Sequence, residues 1–111
     1  MTTVTVFHHP PPPVIGVCGV VFDRAFEAFE QNLDWLETTG ILVERIDPLE
    51  QPEEAARFEA ARDSLARGGD RCLPLILVDD LIVSSGIRPT RSHLARLVGR
   101  SRRQPAFPVA G

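Results

Sequence analysis

The run "LPLILV", residues 73–78, constrains the architecture more than any other stretch of the chain. It is apolar throughout, so a strand built from it has no polar face to offer water. Such a strand belongs in the middle of a sheet that is covered on both sides. Asp79-Asp80 follows as a turn pair, and Leu81 to Ser84 reads as the return strand of a β-hairpin. Pro74 stands at the entry to the run, where a proline costs no ladder hydrogen bond, and it is the candidate for a cis peptide bond.

The rest of the chain supplies the partners that this strand needs. "TVTVF" (3–7) is β-branched and partly alternating, which predicts a strand. From Val20 onward, Phe22, Ala25, Phe26, Phe29, Leu33 and Leu36 recur at three- and four-residue steps. That spacing predicts a helix ending at Gly40 with one apolar face, and it puts Phe26 and Phe29 in the core. Trp35 lies beside the stripe and reads as core, with a dimer surface as the alternative. "ILVERI" (41–46) predicts a second strand, and Pro48 and Pro52 mark a turn into a second helix, "EEAARFEAARDSLAR". Its apolar stripe is thin, chiefly Phe58 and Leu65. "TRSHLARLVG" (90–99) predicts a last helix capped by Thr90, with Leu94, Leu97 and Val98 on one side. The order β-α-β-α-β-β-α is that of an α/β, thioredoxin-like layout: a four-stranded mixed sheet with helices on both faces and residues 3–7 and 74–78 at its centre. Residues 1–99 form the one domain that 111 residues allow, and residues 100–111 read as a flexible C-terminal tail.

Several function classes are disfavoured by composition. Net charge is −3, so there is no overall basic field for non-specific nucleic-acid binding. No apolar stretch approaches the roughly 20 residues of a membrane span, and the start "MTTVTVFHH" has no secretory pattern. The expected location is the cytoplasm, with no membrane partner. In that reducing setting the two cysteines, 18 and 72, are expected as free, ligating or redox thiols rather than as a disulfide.

Chemistry concentrates in "HHPPPPVIGVCG" (8–19), which reads as a strand-to-helix turn with the prolines as a rigid spacer. Cys18 near a helix start would be a thiolate ligand or nucleophile; its alternative is an inert small hydrophobe. Cys72 lies two residues before Pro74. In a thioredoxin-like layout that turn approaches the start of the first helix, so Cys72 is a candidate second ligand beside Cys18, against a buried structural cysteine. His8 and His9 are further candidate metal ligands, of a kind suited to zinc, copper or nickel, although neighbours on an extended chain point to opposite faces. Arg100, Arg102 and Arg103 read as solvated charges, with phosphate contact as the alternative.

"GVCG" (16–19), Trp35-Leu36, Glu44-Arg45, Gln51-Pro52, "LPL" (73–75) and "LAR" (94–96) together carry a family resemblance. In that order and spacing, across about residues 3 to 99, the chain resembles the ArsD family. The resemblance implies a thioredoxin-like fold and no enzymatic activity. It implies a homodimeric metallochaperone that takes arsenic(III) or antimony(III) to the ATPase of the arsenical pump, acts as a weak repressor on operator DNA of the arsenic resistance operon, and has no obligatory cofactor. The family's metalloid site is a pattern like C-C-x-x-G-x-C-G, of which Cys18 matches the third cysteine. Pro12 and Pro13 occupy the places of the first two. Weakened metalloid binding is therefore expected. One alternative is a protein- or DNA-binding regulatory module that has lost metalloid sensing. Another is a single-thiol redox protein, disfavoured because there is no C-x-x-C.

Overall fold

A computed structural model of the chain describes residues 2–11, 14–17, 19–21 and 23–103. Its centre is a four-stranded sheet in the order β4-β1-β5-β6, formed by β1 (Thr3–Phe7), β4 (Leu42–Ile46), β5 (Leu75–Val78) and β6 (Leu81–Ser85). β1 runs parallel to β4 and antiparallel to β5, and β5 pairs antiparallel with β6. All four residues of β5 are buried, as a strand without a polar face requires. The hairpin turn places Asp79 and Asp80 at φ 47° and 70°, the two left-handed residues of a type I′ turn. Asp79 also ties the turn to the start of β1: its Oδ1 accepts from Thr3 N at 3.0 Å, and its own N donates to Thr3 O at 2.9 Å.

Side-chain alternation along β1 sorts the core into two layers. Val4 and Val6 face α1 (Arg24–Thr38) and α4 (Arg91–Arg103), meeting Phe29, Leu33, Leu36, Leu94 and Val98. Phe7 points the other way and joins Ile46, Leu75 and Leu77 beneath α2 (Pro52–Ala56) and α3 (Glu59–Gly68). Helices thus cover both faces, in the expected thioredoxin-like arrangement. Trp35 packs partly buried against the first layer, and the Arg91 guanidinium lies over its ring.

The structure departs from the periodicity in four places. First, α1 begins at Arg24, not at Val20; Asp23 is the cap, its Oδ1 accepting from Phe26 N at 2.9 Å. Val20 and Val21 instead belong to β3 (Gly19–Val21), which forms a small hairpin with β2 (Val14–Gly16). β-Branched valines and isoleucine suit strands better than a helix start, and Gly19 at φ 114° suits the turn. The segment read as a plain strand-to-helix turn therefore holds a second, two-stranded sheet. Second, Phe26 is only partly buried. Third, the second predicted helix is broken at Phe58, whose extended backbone lets its ring meet Phe7 edge-on at 5.3 Å. With one large apolar anchor and few others, the segment gains more from seating Phe58 than from staying continuous. Fourth, α4 passes Gly99 and continues to Arg103, so residues 100–103, expected in the tail, are helical; residues 104–111 lie outside the described residues. Thr90 caps it as expected, its Oγ1 accepting from His93 N at 3.2 Å.

Gly86 closes the return of β6 over the Pro74 turn, and only glycine fits there. Its φ is +78°, and a Cβ would lie 2.9 Å from the Arg71 carbonyl oxygen. Its N–H is shared by the carbonyls of Cys72 and Pro74, each at 3.1 Å. Gly86→Ala is expected to lower the unfolding free energy by about 1–3 kcal/mol in denaturant titrations; an unchanged midpoint would show that this turn does not constrain the fold.

Candidate functional site

Candidate ligands gather where β1 ends beside the entry to β5. β1 delivers His8 and His9 to that end of the sheet, and the Leu73–Pro74 peptide, which is cis, delivers Pro74. His8, His9, Asp70, Pro74 and Arg88 border a cavity of about 210 Å³.

His8 is almost fully buried. Its ring stacks on Phe26 at 5.0 Å and meets Phe29 edge-on at 5.8 Å. Nε2 lies 2.9 Å from Glu30 Oε1, while Nδ1 is buried without a hydrogen-bond partner among the described residues. Burial holds the imidazole below its ordinary pKa. Glu30 pulls the other way, and Arg45 and Arg88 reinforce the lowering. The neutral ring donates Nε2–H to Glu30 and keeps its lone pair on Nδ1, the tautomer of a carboxylate-oriented ligand imidazole. A histidine whose folded pKa is depressed takes up protons more readily in the unfolded chain. Stability is then fully present above the unfolded value of 6.5 and is lost as pH falls below it. Wild type is expected to lose stability on this acid side, and His8→Gln to lose less, in denaturant titrations at stepped pH. Parallel curves would remove His8 as the source.

His9 turns to the other side, as adjacent residues on an extended chain do, and its Nδ1 lies 2.8 Å from Asp47 Oδ2. Asp47 is held below the usual carboxylate range by His9 and by the backbone N–H groups of Leu49 and Glu50, against its own partial burial. The two histidines thus reach different partners instead of converging on one ion. Among the described residues, no group of three or more His, Cys, Asp or Glu side chains is arranged to hold a metal.

Cys72 ends a 3₁₀ turn, Gly69–Cys72, just before Pro74. It is buried, and its thiol donates to Gly69 O at 2.9 Å. Cys18, Pro12 and Pro13 lie outside the described residues, so the pairing of Cys18 with Cys72 has no geometry here. In sequence Cys18 falls between β2 and β3, whose register pairs Gly16 with Gly19. Val17 beside it is fully exposed, and Ile15 is exposed as well.

Sequence reasoning missed the clamp beneath His8. Arg45 on β4 binds three carboxylates of α1: Glu30 at 2.9 Å, Asp34 at 2.8 Å and Glu37 at 2.7 Å. Burial alone would lower its pKa, but Glu37 and Glu30 more than offset that and raise it. The signal was present in the spacing of residues 30, 34 and 37, one ridge of a helix facing an arginine in a strand. Arg88, also unflagged, lies 3.7 Å from Asp23 and over the Phe26 ring.

Comparison with known proteins places this geometry in context. The family described as "Arsenical resistance operon protein ArsD" matches residues 1–108. Two Escherichia coli proteins, each named "Arsenical resistance operon trans-acting repressor ArsD", are 33% identical over 99 residues, covering 89% of this chain and 82% of theirs. In fold, the chain is similar to the crystal structure of an arsenical resistance operon trans-acting repressor from Bacteroides vulgatus, with a TM-score of 0.69 at 24% identity, over 89% of this chain and 93% of that one. Among the described residues, no helix is long and apolar enough to cross a membrane.

Proposed function

Because the chain belongs to the ArsD family, we propose that it is a cytoplasmic, homodimeric carrier of arsenic(III) or antimony(III). It hands the metalloid to the ATPase of the arsenical pump and weakly represses the arsenic resistance operon at operator DNA. The observation that carries this reading is the family match over residues 1–108, which includes the segment holding Cys18. The relatives' naming as repressors, not as enzymes, supports a regulatory role without catalysis.

Metalloid is held weakly in this reading. Trivalent arsenic is soft and takes three thiolates, and this chain has two cysteines in all. Cys18 is the retained ligand. Its coordination is completed by Cys72, by Cys18 of a second copy or by a small thiol, and Cys72 must then give up its hydrogen bond to Gly69 O. His8, with a free Nδ1 lone pair and a carboxylate behind it, is the better of the two histidines as an additional ligand, for a harder metal than arsenic. His9 is already engaged by Asp47.

A second reading keeps the fold and its protein or DNA contacts but drops metalloid sensing. Pro12 and Pro13 at the places of the cysteine pair favour it. Thiols counted in the reduced protein before and after arsenite addition separate the two. Loss of Cys18 reactivity on addition supports the carrier; full reactivity throughout supports the module. Single-thiol redox chemistry has the least support, since neither cysteine belongs to a C-x-x-C pair.

A further inference from the structure

The cavity between the end of β1 and the start of β5 is walled by polar groups that the fold leaves without partners. Arg88 is one of them, with a side chain only 33% exposed. It lies 3.7 Å from Asp23 Oδ1, too far for a hydrogen bond, and that oxygen already caps α1. The guanidinium otherwise rests against the Phe26 ring, so its N–H groups have no acceptor among the described residues. Asp70, on the 3₁₀ turn across the cavity, uses only its main-chain carbonyl, which accepts from Leu73 N at 3.2 Å. Its carboxylate has no hydrogen bond or ion pair with any described residue.

His9 completes the open polar wall. Its neutral ring donates Nδ1–H to Asp47 and keeps a lone pair on Nε2, which has no partner among the described residues. His8 borders the same cavity, but its Nδ1 is closed to solvent, so the contacts on offer are Arg88, Asp70 and His9. Their chemistry selects against most ligands. Arg88 and Asp70 cancel in charge, so neither an inorganic anion nor a cation is favoured. Among the described residues, moreover, no three acidic, histidine or cysteine side chains are arranged to hold a metal. Arg88 supplies donors, whereas Asp70 and His9 supply acceptors. The complement is an uncharged molecule that carries several hydroxyl groups, each able to donate and to accept. Size agrees: a volume of about 210 Å³ has the room of roughly seven waters at about 30 Å³ each.

We propose that this cavity holds the metalloid in its undissociated hydroxide form, As(OH)₃ or Sb(OH)₃, through oxygen and without a thiolate. Two hydroxyls donate to the Asp70 carboxylate and to His9 Nε2, and Arg88 donates to a hydroxyl oxygen. The choice of ligand rests on the carrier reading. Trivalent arsenic and antimony are present in neutral water as these uncharged trihydroxides, which match a wall of mixed donors and acceptors with no net charge. Such a site adds to the thiolate chemistry what two cysteines do not supply: a place where the hydroxide collects before any As–S bond exists. Binding here is weak, because each contact replaces a hydrogen bond to water, although those to Arg88 and Asp70 are charge-assisted.

The test is long-range ¹H–¹⁵N NMR of the histidine rings during arsenite titration at constant neutral pH. It uses the Cys18→Ser protein, so that a thiolate at that position makes no contribution, alone and with Arg88→Gln or Asp70→Asn added. A saturable shift of the His9 ring nitrogens is expected, with none at His93 on α4. Each added substitution is expected to weaken the binding about tenfold or more, as loss of a hydrogen bond to a charged group does. Neither side chain has a hydrogen bond within the described residues, and circular dichroism melts check that the variants fold. No saturable shift, or the same affinity in both variants, overturns the proposal. Inorganic phosphate that shifts the rings as strongly as arsenite makes the cavity an anion site and overturns it too. Thiol counts on wild type separate this site from the carrier reading. Cys18 protected by arsenite with no ring shift in the Cys18→Ser protein leaves the carrier and overturns the cavity site; ring shifts without that protection support the cavity site and end thiolate carriage.

Discussion

Phe29→Ala is expected to lower the unfolding free energy by about 3–5 kcal/mol, a large part of the stability of a domain this size. Phe29 is 1% exposed and belongs to the buried cluster that joins Val4, Val6 and Ile76 of the sheet to Leu94 of α4. Removing the ring opens a cavity that strands in a fixed ladder cannot close, so the transfer and cavity costs add. Phe26, one turn earlier, is partly exposed and mainly flanks His8. Phe26→Ala is therefore the milder change, although the sequence stripe presents the two residues alike. Urea titrations of both variants check this order. A loss below about 1 kcal/mol for Phe29→Ala would mean that α1 is not seated on the sheet as described.

That pair shows what hydrophobic spacing conveys and where it stops. Recurrence at three and four residues placed Phe29, Leu33 and Leu36 in the core because burial along a helix follows a single angle. The same recurrence ran back to Val20, where the backbone is a strand. Periodicity carries no information about the first turn of a helix; the cap does, and Asp23 was the residue to weigh. The uninterrupted apolar run at 73–78 was legible for the opposite reason. A strand with no polar side has one place in a sheet, and the order β4-β1-β5-β6 follows largely from it. The break at Phe58 was not legible, because it is decided by a ring in β1, Phe7, that local sequence cannot see.

At the candidate site, residue types were readable and partners were not. A histidine pair before a proline run points to that loop, but nothing local says that His8 is buried against Glu30 while His9 reaches Asp47. Those carboxylates come from α1 and from the segment after β4, far along the chain. Arg45 was noticed only as part of a family resemblance. Its physical role, joining β4 to three carboxylates of α1, appears once the two elements are side by side.

Restoring the cysteine pair is expected to give the largest change in ligand affinity. In Pro12→Cys/Pro13→Cys, the first thiolate to bind arsenite is joined by two others on the same short segment. Their attachment becomes intramolecular, which raises affinity by about 10²–10⁴-fold over wild type. Wild type has no such neighbours for Cys18 within residues 8–19 and should bind arsenite weakly. Replacing Cys18 with serine in the double variant removes one of the three thiolates and should undo most of the gain. The deciding measurement is a competition titration with arsenite under reducing conditions on wild type, the double variant, and the double variant carrying Cys18→Ser. Weak binding by wild type, tight binding by the double variant and loss of that gain without Cys18 are the predicted results. Tight stoichiometric binding by wild type that persists when its own Cys18 is replaced would contradict the account and move the site to Cys72 or the histidines.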